Sequence, residues 1–205
     1  MVLFAYKEHI REMKNLLVPI LLMVSLSGHA QAWISLLEKN SLDGWIVPEN
    51  NIWYSVNRGL LHIQSGPDKK GSIIWTDKKF RNFKIRLRFK MGHGTVDSGV
   101  FLRGENDQIQ IGISGSLKKD MTASPYIPKL RYPVEAQNVS KILKPNDWNS
   151  MEIKVMDKTY SVILNNKPVM SYTSEGIPTE GPIGLQLHPG NEMSIDFKKI
   201  QVKIL

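Results

Sequence analysis

The chain has 205 residues, a formal net charge of +8 at pH 7 and no cysteine. That length suits one ordinary domain with a real core, and the missing cysteines exclude both a disulfide framework and a lipid anchor attached through an N-terminal cysteine. The surplus of Lys and Arg stands mostly as single residues at alternating positions, as on a solvated face, and no aromatic-basic reading motif accompanies it, so nucleic acid is not an expected partner.

From the N-terminus, Lys14 to Ala32 reads as a secretory signal: a basic start, an apolar run from Leu16 to Leu26 and a small-residue end at Ala30-Gln31-Ala32. The run is shorter than the roughly 20 residues that span a bilayer. Glu8 and Glu12 dilute the basic region of a start at Met1, whereas Met13-Lys14-Asn15 opens a compact one, which makes Met13 the expected start. Cleavage after Ala32 then delivers a chain beginning at Trp33 to the periplasm or the medium, with no stable membrane span left. Residues 33–205 are expected to form a single domain.

Period-two alternation dominates the chain beyond Ala32. In Phe83-Lys84-Ile85-Arg86-Leu87-Arg88-Phe89-Lys90-Met91 the apolar residues face one way and the cations the other, as in a half-buried antiparallel strand. Further strands are expected at Ile52–Val56, Leu60–Ser65, Ser72–Thr76, Gly99–Arg103, Gln108–Ser114, Asn149–Met156, Thr159–Leu164, Lys167–Thr173, Pro182–His188 and Ser194–Ile204. Asn57-Arg58-Gly59, Gly92-His93-Gly94 and Asn165-Asn166 supply turns, the last fitting a two-residue hairpin loop. Short strands joined by tight turns predict an all-β sandwich or barrel. The stretch from Ser116 to Pro145 breaks the rhythm and carries three prolines before Val134; a long ordered loop of this kind often shapes a binding site.

Three strands carry hydrogen-bonding side chains on one face and aliphatics on the other. Phe101 and Arg103 oppose Val100 and Leu102; Gln108 and Gln110 oppose Ile109 and Ile111; Gln186 and His188 oppose Leu185 and Leu187. Together they predict a concave sheet lined with planar polar groups and one aromatic, as a sugar site requires, with Tyr126 of the irregular segment as a further stacking face. Glu105-Asn106-Asp107-Gln108-Ile109-Gln110 comes close to the Glu-x-Asp-x-x-Glu strand of sandwich glucanases, but Gln110 can be neither nucleophile nor proton donor, which disfavours ordinary two-carboxylate hydrolysis. No Gly-x-Ser-x-Gly elbow, HExxH or P-loop is present. His62 reads as a strand-surface residue and His93 as a turn residue, leaving His188 as the histidine placed among candidate site groups.

Several segments in order carry a resemblance: Ser41-Leu42-Asp43-Gly44-Trp45, Asp97-Ser98-Gly99-Val100-Phe101-Leu102-Arg103, Trp148-Asn149, Gly181-Pro182-Ile183-Gly184-Leu185-Gln186-Leu187-His188 and Ile195-Asp196-Phe197-Lys198-Lys199-Ile200. With these the mature chain resembles the 3-keto-disaccharide hydrolase family, whose fold is the concanavalin A-like jelly-roll sandwich of two antiparallel sheets. The resemblance implies action on an oligosaccharide or modified glycoside already oxidised to a ketone at C3, which acidifies the C2–H and allows the C1 substituent to be eliminated and water added. Such chemistry needs a general base near C2 and an electrophile or cation for the enolate oxygen. It implies His188 as base or as ligand of a divalent metal ion, Arg103 as oxyanion partner, and Gln110 and Gln186 as hydroxyl readers. Two departures stand out: the family usually has Asn where Asp97 stands, and a Tyr-Glu pair where Asp107-Gln108 stand. The lost Glu favours a rival reading, a non-catalytic carbohydrate-binding module on the same scaffold. A third, a structural subunit of a polysaccharide-uptake complex, would require a large exposed apolar patch away from the polar face.

Overall fold

The computed structural model describes residues 32–205. The expected signal and the expected start at Met13 fall, Ala32 aside, outside the described residues. In chain order the first eight strands are β1 (Ile34–Ser35), β2 (Trp45–Ile46), β3 (Tyr54–Asn57), β4 (Leu60–Gln64), β5 (Ser72–Thr76), β6 (Phe83–Gly94), β7 (Asp97–Leu102) and β8 (Gln108–Ser114). Then come β9 (Lys119–Asp120), β10 (Pro125–Tyr126), one helical turn α1 (Val139–Ile142), β11 (Asn149–Met156), β12 (Thr159–Leu164), β13 (Lys167–Thr173), β14 (Ile183–Leu187) and β15 (Met193–Ile204).

These strands form two antiparallel sheets. The first runs β13-β12-β11-β6-β15-β4-β3, with β1 on β15; the second runs β10-β8-β7-β14-β5-β2, with β9 on β8. Alternation decides which side of each strand meets the other sheet. Phe83, Ile85, Leu87 and Phe89 of β6 are at most 2% exposed and pack with Ile153, Phe197 and Leu61 of neighbouring strands. The second sheet supplies Ile74, Val100, Leu102, Ile109, Ile111, Ile183 and Leu185 from the other side, all at 0%. Each such side chain contributes about 1.5–3 kcal/mol of burial, and with no disulfide present this interleaving holds the sandwich together. Arg86 is exposed as the alternation requires, while Arg88 is only half exposed because its guanidinium lies 5.8 Å from the Trp148 ring. Among the described residues no helix is long and apolar enough to cross a membrane.

The turns follow local chemistry. Asn165 and Asn166 adopt φ of 48° and 65°, the left-handed pair that a type I′ hairpin needs and that asparagine tolerates best after glycine. Gly92-His93-Gly94, expected as a turn, instead continues β6. A Cβ on Gly92 would sit 2.1 Å from Ser194 Oγ, and one on Gly94 would sit 1.9 Å from the Glu192 carbonyl oxygen. These glycines therefore answer a close approach by β15 rather than a reversal. The irregular segment is anchored along the edge of β8, where the Gly112 amide donates to Thr122 Oγ1 (2.8 Å) and the Ala136 amide to Ser124 Oγ (2.9 Å).

Candidate functional site

The outward face of the second sheet carries the site. Because Val100 and Leu102, Ile109 and Ile111, and Leu185 and Leu187 must reach the core, Asp97, Gly99 and Phe101 of β7, Gln108 and Gln110 of β8, and Gly184 and Gln186 of β14 turn outward. Register then sets their neighbours. Gly99 stands opposite both Gln110 and Gln186, and Phe101 opposite both Gln108 and Gly184, with Trp75 of β5 on the far side of Gly184. A Cβ on Gly99 would lie 2.2 Å from Gln108 Nε2, so glycine there lets the Gln108 amide lie across the sheet and donate to Gln186 Oε1 at 2.5 Å. In the same way Gly184 leaves room for the Trp75 ring, whose nearest carbon would be 2.6 Å from a Cβ. Trp75 and Phe101 then meet with centroids 5.4 Å apart.

A cavity of about 340 Å³ opens on this face, between the sheet and the irregular segment. Phe101, Gln108, Gln110, Tyr126, Gln186 and His188 all line it, so six of the seven side chains expected at the site converge. The seventh, Arg103, does not. The strand ends at Leu102, and Arg103 takes a left-handed φ of 59°, which breaks the alternation that would have aimed it beside Phe101. Its side chain instead closes one end of the sandwich. Nη1 donates to the carbonyls of Asp157 (2.6 Å) and Pro178 (3.0 Å), and Nη2 to Asn82 Oδ1 (3.0 Å) and the Arg81 carbonyl. With every one of these partners a fixed acceptor of the scaffold, Arg103 is placed to tie chain segments and not to meet an oxyanion in the cavity.

Asp97 is the residue at the centre of the site to which sequence reasoning assigned no role. Its side chain is 3% exposed; Oδ1 accepts from Gln110 Nε2 at 2.7 Å and Oδ2 from the Gly115 amide at 2.9 Å. His188 follows the end of β14, its own amide donating to the Asp97 carbonyl. The ring is 39% exposed at the cavity, with Nδ1 2.8 Å from the Pro189 carbonyl oxygen and 3.6 Å from Asp97 Oδ2. The Pro189 carbonyl can only accept, so this contact assigns the proton to Nδ1 of the neutral ring and leaves the lone pair on Nε2. Two steps of alternation from Phe101 through Gly99 lead to Asp97, so this signal was present in the sequence.

Tyr132 stands over the sheet beside Ser114, the last residue of β8. The Tyr126 and Tyr132 rings pack at 5.2 Å, and burial, opposed by a hydrogen bond to Ser114 and reinforced by the Asp97 charge, pushes the Tyr132 phenol up to about 12. It stays protonated at neutral pH and can donate. Nothing in the local pattern marked Tyr132, because no periodicity ties a loop residue to a face. The near-glucanase strand is settled otherwise: Asp107 is fully buried and accepts from the Tyr160 hydroxyl at 2.9 Å, away from the cavity. His62 bonds Asp196 on the outer face of the first sheet, and His93 bonds Ser194 near the end of β6.

The donor set does not fit a resident divalent metal ion. Both Asp97 oxygens are already taken up by N–H donors, and although His188 and Glu105 line the same cavity, no group of three or more His, Cys, Asp or Glu is assembled among the described residues.

Comparisons with known proteins bear on the family and the fold. The model of the 3-keto-alpha-glucoside-1,2-lyase-like domain matches residues 32–203. A candidate glycosyl hydrolase of known structure from Parabacteroides distasonis ATCC 8503 superposes with a TM-score of 0.65 at 23% identity, covering 85% of this chain and 100% of its own. A second from the same organism gives 0.64 at 20% identity, over 86% and 95%. The carbohydrate binding module CBM66 from Bacillus subtilis gives 0.52 at 11% identity, over 78% and 95%. These likenesses establish the fold, the concanavalin A-like jelly-roll sandwich. No curated protein matches the chain.

Proposed function

The chain belongs to the 3-keto-alpha-glucoside-1,2-lyase-like domain family, a carbohydrate-active, hydrolase-like family, and from that premise we propose that it is an exported enzyme that cleaves 3-keto-glycosides in the cavity beside His188. The observation that carries this reading is His188 Nδ1 placed 2.8 Å from the Pro189 carbonyl oxygen and 3.6 Å from the buried Asp97 carboxylate, in a pocket lined besides by Glu105, amides, hydroxyls and aromatic rings. With Nδ1 protonated, Nε2 is free to take the C2 proton, and the Asp97 charge stabilises the imidazolium that forms. The electron pair of the C2–H bond becomes the enolate of the C3 ketone. As the enolate collapses, the C1–O bond breaks and the leaving oxygen takes the proton that His188 Nε2 has just received. Water adding at C1, with a proton returned to C2, restores the ketone and completes net hydrolysis. Tyr132, protonated and lining the same cavity, is the donor suited to the enolate oxygen, a role not open to Arg103, which lies outside the cavity lining and is bonded elsewhere.

A rival reading has its own observation. Gln110 stands where a catalytic carboxylate of the glucanase pattern would be and is already committed to Asp97, while Gln108 is committed to Gln186. Such a pre-paired amide floor also suits a non-catalytic sugar-binding module, in keeping with the similarity of fold to CBM66. Turnover of a 3-keto-glycoside measured beside affinity for the product sugar separates the two. On the enzyme reading, His188→Ala lowers kcat by roughly 10²–10⁴-fold with little change in thermal stability. On the binding reading the unaltered protein shows no turnover and the same substitution weakens affinity. Full activity in His188→Ala would refute the proposed mechanism.

A further inference from the structure

The outward face of the first sheet is strongly cationic, and its charges are arranged against their own repulsion. Register places Arg88 of β6 directly opposite Lys198 of β15, and Lys84 between Lys154 and Lys203. Like charges directly across a pair of strands destabilise it. The carboxylates on this face are spent locally, Glu152 on Lys84 (2.9 Å) and Asp196 on His62 (2.6 Å). Arg86, Arg88, Lys198 and Lys199 have no carboxylate within 4.0 Å among the described residues. A bulge between Lys198 and Gln201 adds Lys199 to the row, and the Lys198 ammonium is held below its ordinary value by desolvation first and then by Arg88 and Lys199.

Arg86, Arg88 and Lys199 border a groove of about 790 Å³, which also presents Ser150, Asn166 and Gln201 and one carboxylate, Glu152, already paired with Lys84. Two aromatic rings flank the cations: Arg86 lies 4.1 Å over Trp33, and Lys198 Nζ lies 3.7 Å over Trp148. Arg86 Nε donates to Gln201 Oε1 at 2.8 Å, which leaves the edge formed by its two Nη groups to match a carboxylate or sulfate through two parallel hydrogen bonds. Both tryptophans are half-buried beneath the cations and do not project as a bilayer anchor would. A groove combining guanidinium edges with hydroxyl- and amide-bearing side chains instead matches a chain of rings that carries both hydroxyls and anionic groups.

We propose that this groove on the outer face of the first sheet binds an anionic polysaccharide through its carboxylate or sulfate groups, as a second carbohydrate site on the side of the sandwich opposite the His188 cavity. The site is independent of whether that cavity is catalytic. The bound anions would relieve the Arg88–Lys198 repulsion, so binding stabilises the fold.

The test is affinity electrophoresis of the folded chain in gels containing polygalacturonate or dextran sulfate, with neutral dextran as the blank. At least one anionic polymer should retard the protein, dextran should not, and about 0.5 M NaCl should abolish the retardation because exposed charges are then screened. Arg86→Gln combined with Arg88→Gln should weaken the interaction at least about tenfold, with an unfolding midpoint at or above the parent's. The charge-matched control Lys78→Gln with Lys79→Gln, both exposed in the loop after β5, should leave it unchanged. Should the arginine pair fail to fold, Lys199→Gln alone must weaken the retardation. The proposal is overturned if neither polymer binds, if both double variants lose binding equally, or if only vesicles of anionic phospholipid are bound.

Discussion

Replacing Arg103 by Met separates a residue that builds the sandwich from one that serves the cavity. The guanidinium is the common donor for the carbonyls of Arg81, Asp157 and Pro178 and for the Asn82 side chain, and the residue is 2% exposed. Methionine fills similar volume and donates nothing. A net hydrogen bond from a charged donor contributes about 1.5–3 kcal/mol, but four bonds from one group are not additive, and removing one partner of a buried polar network costs about 3–5 kcal/mol. At about 2–4 °C per kcal/mol for a chain of this size, the midpoint should fall by roughly 6–20 °C. Tryptophan fluorescence during heating reads this directly, the chain holding five Trp. Arg103→Lys should recover only part of the loss, because one ammonium cannot span the same acceptors. Below the transition, ligand affinity in the His188 cavity should stay within about threefold of the parent, the lost contacts lying outside it. An unchanged midpoint with collapsed affinity or turnover would refute the reasoning and return Arg103 to the site.

Leu87 is 2% exposed at the centre of β6, so Leu87→Ala should cost about 2–5 kcal/mol, read as a lower urea midpoint at constant slope; a loss below about 1 kcal/mol would contradict the packing. The Tyr132 phenol is pushed from 10.0 up to about 12, so its contribution to stability is complete below pH 10 and is lost as pH climbs from about 10 to about 12, where the unfolded chain ionises first. Midpoints measured across that range should fall less steeply for Tyr132→Phe than for the parent, and parallel curves would count against a buried phenol. Protein recovered from the periplasm should begin at Trp33, which N-terminal sequencing checks; a product beginning at Met1 or Met13 would dismiss the export signal.

Alternation made most of the site legible because it is a rule about both faces at once. Wherever Ile109, Ile111, Leu185 and Leu187 had to be buried, Gln108, Gln110 and Gln186 had no choice but to turn outward. The rule holds only while the backbone stays extended, and it failed at Arg103, one residue beyond the strand, where a left-handed φ redirected the side chain. It failed again at Gly92 and Gly94, because a glycine that opens a turn and one that admits a neighbouring strand are written alike. Strand adjacency and the reach of the loop were not in the local pattern. They depend on the order β10-β8-β7-β14-β5, which brings residues 97, 126, 132 and 188 together across the sequence.

The glycines, more than the polar residues, determine what the cavity can hold. Outward-facing Gly99 and Gly184 alternate across the strands with Gln186, Gln110, Phe101 and Trp75, so each large side chain has a gap beside it into which it folds down. The floor therefore presents amide edges and tilted ring faces close to the sheet, and the depth of the pocket comes from the Tyr126 and Tyr132 wall standing over it. A sugar ring is flat enough to enter such a space while offering hydroxyls at its rim to Gln108, Gln110 and Gln186. Were Gly99 larger, Gln108 would be forced upright, its bond to Gln186 would break, and the floor would become an obstruction, with every hydrogen-bonding residue of the site still present.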